Sequence, residues 1–183
     1  MDHKVTLHDK TFKLFIPNEK IEKAIDAVAE RLNADYADAT DEDPLVLLCT
    51  LNGAIIFAAE LLKRLSFPIV LKACKLSSYQ GTQSTGSIKT EVPLPAHLEG
   101  RRVIIVEDIV DTGNTIEALT GLLKAAKVRD CKVCTLLVKP EVYKKDVKLD
   151  YVAMEIPNRF IVGFGLDYDE LGRNIKDIYV LDE

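Results

Sequence analysis

Val103-Ile104-Ile105-Val106-Glu107-Asp108-Ile109-Val110-Asp111-Thr112-Gly113-Asn114-Thr115 changes character twice along its length. The β-branched apolar run at its start reads as a buried strand. The acids Glu107, Asp108 and Asp111 interrupt it, and a run of small polar residues follows. Beyond them Ile116, Leu119, Leu122, Leu123 and Ala126 recur at spacings of three and four, the stripe of an amphipathic helix. The stretch therefore predicts a strand, an acidic turn, a small-residue loop and a helix N-terminus.

That order suits an anion. The first N–H groups of a helix have no intrahelical partner, and the helix dipole favours negative charge there. Gly113 allows close backbone approach, and Thr112 and Thr115 offer hydroxyl donors. Glu107 and Asp108 cannot face a phosphate directly. They suit neighbouring hydroxyls or a divalent cation, which prefers oxygen ligands. A phosphate, vicinal hydroxyls and a cation together describe a ribose phosphate.

The rest of the chain supplies the frame. Its 183 residues suffice for one domain, and an apolar share of 48% marks it as globular. The net charge of −5, from 24 basic and 29 acidic side chains, argues against non-specific nucleic-acid binding. No apolar run reaches the ~18 residues of a membrane span. Met1-Asp2-His3-Lys4-Val5 has no signal-peptide core, so a cytoplasmic location is expected. Cys131 and Cys134 have CxxC spacing, but in a strand positions three apart face opposite ways. Cys49 and Cys74 stand alone in apolar strands, so all four read as buried thiols rather than zinc ligands or disulfides. His3, His8 and His97 read as surface residues.

Residues 1–16 predict a short strand and turn. Asn18 reads as the N-cap of a helix with the apolar stripe Ile21, Ala24, Ile25, Val28, Ala29 and Leu32. Leu45 to Cys49 is the wholly apolar strand of a parallel sheet. It enters a helix, Ala54 to Leu65, through Thr50-Leu51-Asn52-Gly53. Pro68 to Leu76 predicts the next strand. Residues 77–87, small and polar around Tyr79, predict a lid, and Ile88 to Val92 returns as a paired strand. After the helix of 115–127, Lys132 to Val138 forms a strand ending at Lys139, on the same sheet edge as Asp111. Tyr151 to Glu155, Ile161 to Phe164 and Ile178 to Leu181 predict short strands. Gly163-Phe164-Gly165 alone carries no dinucleotide signal. Alternating strands and helices predict an α/β fold with a mostly parallel core sheet flanked by helices.

The central block resembles the phosphoribosyl-diphosphate (PRPP) signature of the type I phosphoribosyltransferases: an apolar strand, two acids, two apolar residues, then Asp-Thr-Gly-x-Thr. Over nearly its full length the sequence is similar to the hypoxanthine (hypoxanthine-guanine) group of that family. Leu51-Asn52-Gly53 matches its pyrophosphate turn and Ser78-Tyr79 its lid. Val138-Lys139 matches the purine-reading strand end. Ile156-Pro157, Phe160 to Gly163, Leu166-Asp167-Tyr168 and Arg173 match its carboxyl-terminal segment.

The resemblance implies a single domain over 1–183, with a core of about 18–155 and a small hood from about 1–17 and 156–183. It implies that Glu107 and Asp108 bind the ribose hydroxyls and help organise Mg2+, with Asp167 holding a second ion. Residues 111–115 (Asp111, Thr112, Gly113, Asn114 and Thr115) would cradle the 5′-phosphate beside Ile109 and Val110. Asp111 would act as general base or acid near purine N7. Lys139 would donate to the 6-oxygen, Phe160 would stack on the base, and the Ile161 backbone would read its edge. Arg173 and Asn52-Gly53 would bind pyrophosphate. The implied partners are PRPP and a 6-oxopurine, in a homodimer or homotetramer, with neither nucleic acid nor membrane.

Two positions depart from common family patterns: Asn52 stands where a basic residue is frequent, and Asn114 where lysine is frequent, which removes one phosphate-side charge. The competing readings are a transferase for another base, such as xanthine, and a PRPP-fold regulator that binds nucleotide or RNA. Lys139 opposes adenine, whose 6-amino group is itself a donor. The acidic charge and the presence of Asp111, Tyr79 and Lys139 oppose the regulator.

Overall fold

In chain order the elements are β1 (Lys4–Leu7), β2 (Lys10–Ile16), α1 (Asn18–Asp35), β3 (Leu45–Thr50), α2 (Ile55–Leu62), β4 (Ile69–Ser78), β5 (Ile88–Val92), β6 (Arg102–Val110), α3 (Asn114–Ala125), β7 (Asp130–Val138), β8 (Tyr151–Glu155), β9 (Ile161–Val162) and β10 (Ile178–Leu181). They come from a computed structural model that describes residues 3–78 and 88–182. Tyr79 and the rest of the expected lid, 79–87, lie outside the described residues, as does the side chain of Ser78.

Six strands form one sheet in the order β5-β4-β3-β6-β7-β8. From β4 to β8 every pairing is parallel, and β5 runs antiparallel at one edge. The apolar runs of β3, β6 and β7 are buried on both faces because helices cover both. Alternate residues divide between two cores. Leu45, Leu47, Cys49, Ile104, Val106 and Leu136 pack with α1 and α2 on one face. Val46, Leu48, Val103, Ile105 and Val133 pack with Ile116, Leu119 and Leu123 of α3 on the other.

After β3 the chain adds β4 on one side, and β6 then takes the other. The strand order thus reverses between β3 and β6. Ligands of open α/β sheets bind at the carboxyl ends beside such a reversal, and both the 51–53 turn and the 107–115 block lie there. A second sheet, β1-β2-β10-β9, is antiparallel throughout and joins the two ends of the chain.

Several local expectations shift. The amino-terminal segment is a full hairpin, β1 with β2. α2 is shorter than the sequence suggests, ending at Leu62 rather than Leu65, and α3 ends at Ala125 rather than 127. The strand expected over 161–164 stops at Val162, because Gly163, Phe164 and Gly165 all take positive φ. Asn18 is the first helical residue rather than the N-cap. Pro17 holds the cap position without a side-chain bond, and the Asn18 N–H donates to Asp177 Oδ1 at 2.7 Å. All four cysteines are free. No helix among the described residues is long and apolar enough to cross a membrane.

Candidate active site

The crevice at the reversal is floored by the end of β6. Glu107 is buried; its Oε1 accepts from the Thr50 hydroxyl at 2.6 Å, and its Oε2 has no hydrogen-bond partner. Burial, and then the charge of Asp108, push the Glu107 carboxyl well above the usual carboxylate range. Burial also raises Asp108, opposed by hydrogen bonds that include the Ile109 N–H at 2.8 Å. Two adjacent carboxyls, one with a buried unpartnered oxygen, form a site that attracts hydroxyl donors or a hard cation.

Gly53 explains how the β3 turn reaches this pair. A Cβ at Gly53 would lie 1.6 Å from Asp108 Oδ2, so only glycine lets the carboxylate rest on that backbone. A Cβ at Gly165 would lie 2.1 Å from the Gly53 carbonyl oxygen. The 51–53 turn is therefore held between Asp108 and the Gly163–Gly165 turn. The Leu51–Asn52 peptide is cis, and the Asn52 side chain is exposed.

On the other side of the floor, Glu107 and residues 109–116 line a cavity of about 90 Å³. Gly113 begins α3 with φ of 84°. A Cβ there would also fall 2.4 Å from the Tyr143 ring, so conformation and packing both demand glycine. Ile109 and Val110 line the cavity from the strand side; Thr112, Asn114 and Thr115 are exposed at its rim.

Asp111 follows β6, and Lys139 follows β7. The Lys139 N–H donates to the Val110 carbonyl at 3.0 Å, one step past the last strand pair, which sets the two residues side by side. Lys139 Nζ then pairs with Asp111 Oδ2 at 3.0 Å. The lysine is buried and the aspartate roughly half-exposed.

The carboxyl-terminal segment meets the 51–53 turn through Gly165. Phe160 is 42% exposed although two other rings stand beside it. Tyr168 meets it edge-on at 5.5 Å and Phe12 lies 5.9 Å away. Ile161 is buried in β9. Arg173 donates to the Gly165 carbonyl at 2.9 Å and pairs with Asp167 at 2.8 Å. Among the described residues no group of three or more His, Cys, Asp or Glu side chains could close around a metal ion.

Sequence reasoning passed over Thr50, Gly165, Tyr143 and Lys145. Thr50 was visible as a polar end to an apolar strand. Tyr143 and Lys145 approach Gly113 from a loop some thirty residues on, and no local pattern marks that contact.

Comparisons with known proteins identify the family. The profile of the phosphoribosyl transferase domain matches residues 16–169. A hypoxanthine-guanine phosphoribosyltransferase of Streptococcus thermophilus is 41% identical over 172 residues, covering 93% of this chain and 93% of that protein. Its counterpart in Aquifex aeolicus is 34% identical over 178 residues, covering 97% and 98%. A solved hypoxanthine phosphoribosyltransferase of Trypanosoma cruzi matches with a TM-score of 0.88 at 33% identity, covering 97% of this chain and 95% of that one. One from Staphylococcus aureus matches at 0.84 and 36%, covering 92% and 90%. This chain thus has the type I phosphoribosyltransferase fold and belongs to the phosphoribosyltransferase family, in its hypoxanthine-guanine group.

Proposed function

We propose that this enzyme transfers the phosphoribosyl group of PRPP to N9 of hypoxanthine or guanine, forming IMP or GMP and releasing pyrophosphate. The observation that carries this reading is the Asp111–Lys139 pair at 3.0 Å. It sets an acid of the phosphate loop beside a buried cation at one end of the crevice. Adenine presents a donor at position 6 and would oppose that ammonium, whereas a 6-oxopurine presents an acceptor.

The side chains divide the work as follows. The 111–115 turn holds the 5′-phosphate on N–H groups and the Thr112 and Thr115 hydroxyls. Glu107 and Asp108 hold the ribose hydroxyls. Phe160 stacks on the base, and the Ile161 backbone meets its edge. As N9 bonds to the anomeric carbon and the bond to pyrophosphate oxygen breaks, Asp111 accepts the N7 proton. Lys139 stabilises the negative charge delocalised onto O6. Arg173 and the Asn52-Gly53 backbone bind the departing pyrophosphate.

The unpartnered Glu107 Oε2 and its neighbour Asp108 would hold Mg2+, and Asp167 a second ion. When bound, magnesium neutralises charge on the diphosphate. Ser78 and Tyr79 would contribute to a lid that excludes water. The second sheet, with 1–17 and 156–183, forms a hood over the core of 18–155. The enzyme works in the cytoplasm as a homodimer or homotetramer.

The test is pyrophosphate release from PRPP and magnesium, with hypoxanthine, guanine, xanthine and adenine offered separately. Release with hypoxanthine and guanine, and none with adenine, is expected. Silence with all four in a folded, PRPP-binding sample refutes the assignment.

A further inference from the structure

Lys145 occupies an unusual place. Its Cγ would lie 2.9 Å from a Cβ at Gly113, so its stem lies directly on the glycine of the small-residue loop. The Tyr143 ring covers the same glycine, and the Tyr143 hydroxyl bonds the Val147 carbonyl, which ties the 143–147 turn together. From that anchored stem the Lys145 ammonium reaches Glu117 Oε2 at 2.7 Å. Lys145 is 27% exposed and Glu117 54%.

Glu117 is the acid in the first turn of α3, and its N–H donates to the Gly113 carbonyl. A carboxylate in a first helical turn normally gains from the helix dipole. Here the same helix end is assigned to an anion, and side chains of a helix lean toward its N-terminus. An uncompensated Glu117 would repel that anion. Position 114, at the start of the same turn, is a neutral asparagine and supplies no opposing charge.

We propose that Lys145 sets the charge of the phosphate end of the site by neutralising Glu117, and so acts as a positioning residue for the phosphorylated substrate. This rests on the reading of residues 111–115 as the 5′-phosphate cradle. Lys145 acts through Glu117, not as a phosphate ligand in its own right.

The test uses Lys145→Met, which keeps the stem on Gly113 and removes the charge, with Glu117→Gln and the double variant. Steady-state kinetics at low ionic strength are expected to show a PRPP KM raised roughly three- to ten-fold in Lys145→Met. That range follows from one helix-end charge acting on a phosphate of nearly two charges. The hypoxanthine KM and kcat stay within about two-fold, as for a loss of uniform binding. Glu117→Gln in the same chain returns the PRPP KM to about the wild-type value, and added salt shrinks the effect of Lys145→Met.

A Lys145→Met variant with wild-type KM overturns the proposal. So does a double variant as impaired as Lys145→Met, which would make lysine a direct ligand or a packing element. Thr115→Ala separates this from the parent reading. If it leaves the PRPP KM unchanged, the cradle assignment itself fails. If it raises the KM while Lys145→Met does not, only the role of Lys145 fails.

Discussion

Glu107 is the residue at which folding and function conflict most openly. Its carboxyl is buried against Asp108 with one oxygen unpartnered, an arrangement that costs stability unless a ligand or a proton completes it. Folding holds its proton to a higher pH than the ordinary value of 4.5. Between the unfolded and folded pKa values the native state binds more protons than the unfolded chain, so stability falls as pH rises through that window. Glu107→Gln removes the ionisation while keeping the acceptor for Thr50. In the metal-free protein the variant is expected to be more stable than wild type by about 1–3 kcal/mol at pH 8. The two converge only below the ordinary value of 4.5, read as urea midpoints at each pH. A variant no more stable at pH 8 would mean that the pair is already satisfied within the protein. At this scale the sequence was legible where chemistry is local: the acidic pair, Asp111 and the need for Gly113 all stand within one stretch. The pairing of Lys139 with Asp111 could be placed only on the same sheet edge, because its 3.0 Å distance depends on the β6–β7 register.

Among the elements, α1 has an end that its own sequence does not complete. Its stripe of Ile21, Ala24, Ile25, Val28, Ala29 and Leu32 is readable from spacing, and all of it but the half-buried Ala24 is buried. Its cap was not, since the acceptor for the Asn18 N–H is Asp177, which lies far along the chain and just before β10. The same carboxylate lies at the helix N-terminus, where negative charge is favoured. Asp177→Ala should cost about 1 kcal/mol, as for loss of an N-cap, and lower Tm by roughly 2–4 °C. Asp177→Asn keeps the acceptor and should recover more than half of that loss. If both variants fall equally, the contribution comes from charge alone and the hydrogen bond adds nothing. The same long-range cause ends the strand that the sequence predicts over 161–164. The residues look like a strand, but Gly163 sits against the Asp177 carbonyl, where any Cβ would come within 2.0 Å, and the chain turns with φ of 100°.

Across the whole molecule the question is whether the two sheets unfold together. The second sheet turns Ile16, Ile161, Ile178 and Val180 into the main core. Its other face holds only a small cluster of Phe12, Val162 and Tyr179. That inner face continues the main apolar core, while Asp177 on Asn18 and Gly165 on Gly53 fasten the sheets at two further points. The alternation of strands and helices made the parallel sheet legible, because each apolar run marks one buried strand. The union of chain ends into a second sheet rests on long-range pairing that no periodicity carries, and only the family resemblance anticipated it. We expect one cooperative transition over 1–183, so damage to the outer cluster should destabilise everything. Phe12→Ala removes a fully buried ring and should lower the stability of the entire chain by about 3–5 kcal/mol. Urea unfolding followed by far-UV circular dichroism and by tyrosine fluorescence should give coincident curves in both proteins, with an unchanged slope. The chain has no tryptophan, so the tyrosines report directly, with Tyr168 and Tyr179 in the second sheet's cluster and Tyr36 and Tyr151 in the main core. An earlier fluorescence transition in Phe12→Ala, with the helical signal intact, would mean that the second sheet opens by itself. Phe160, packed beside Phe12 and Tyr168, would then be carried by a structure that can detach from the core.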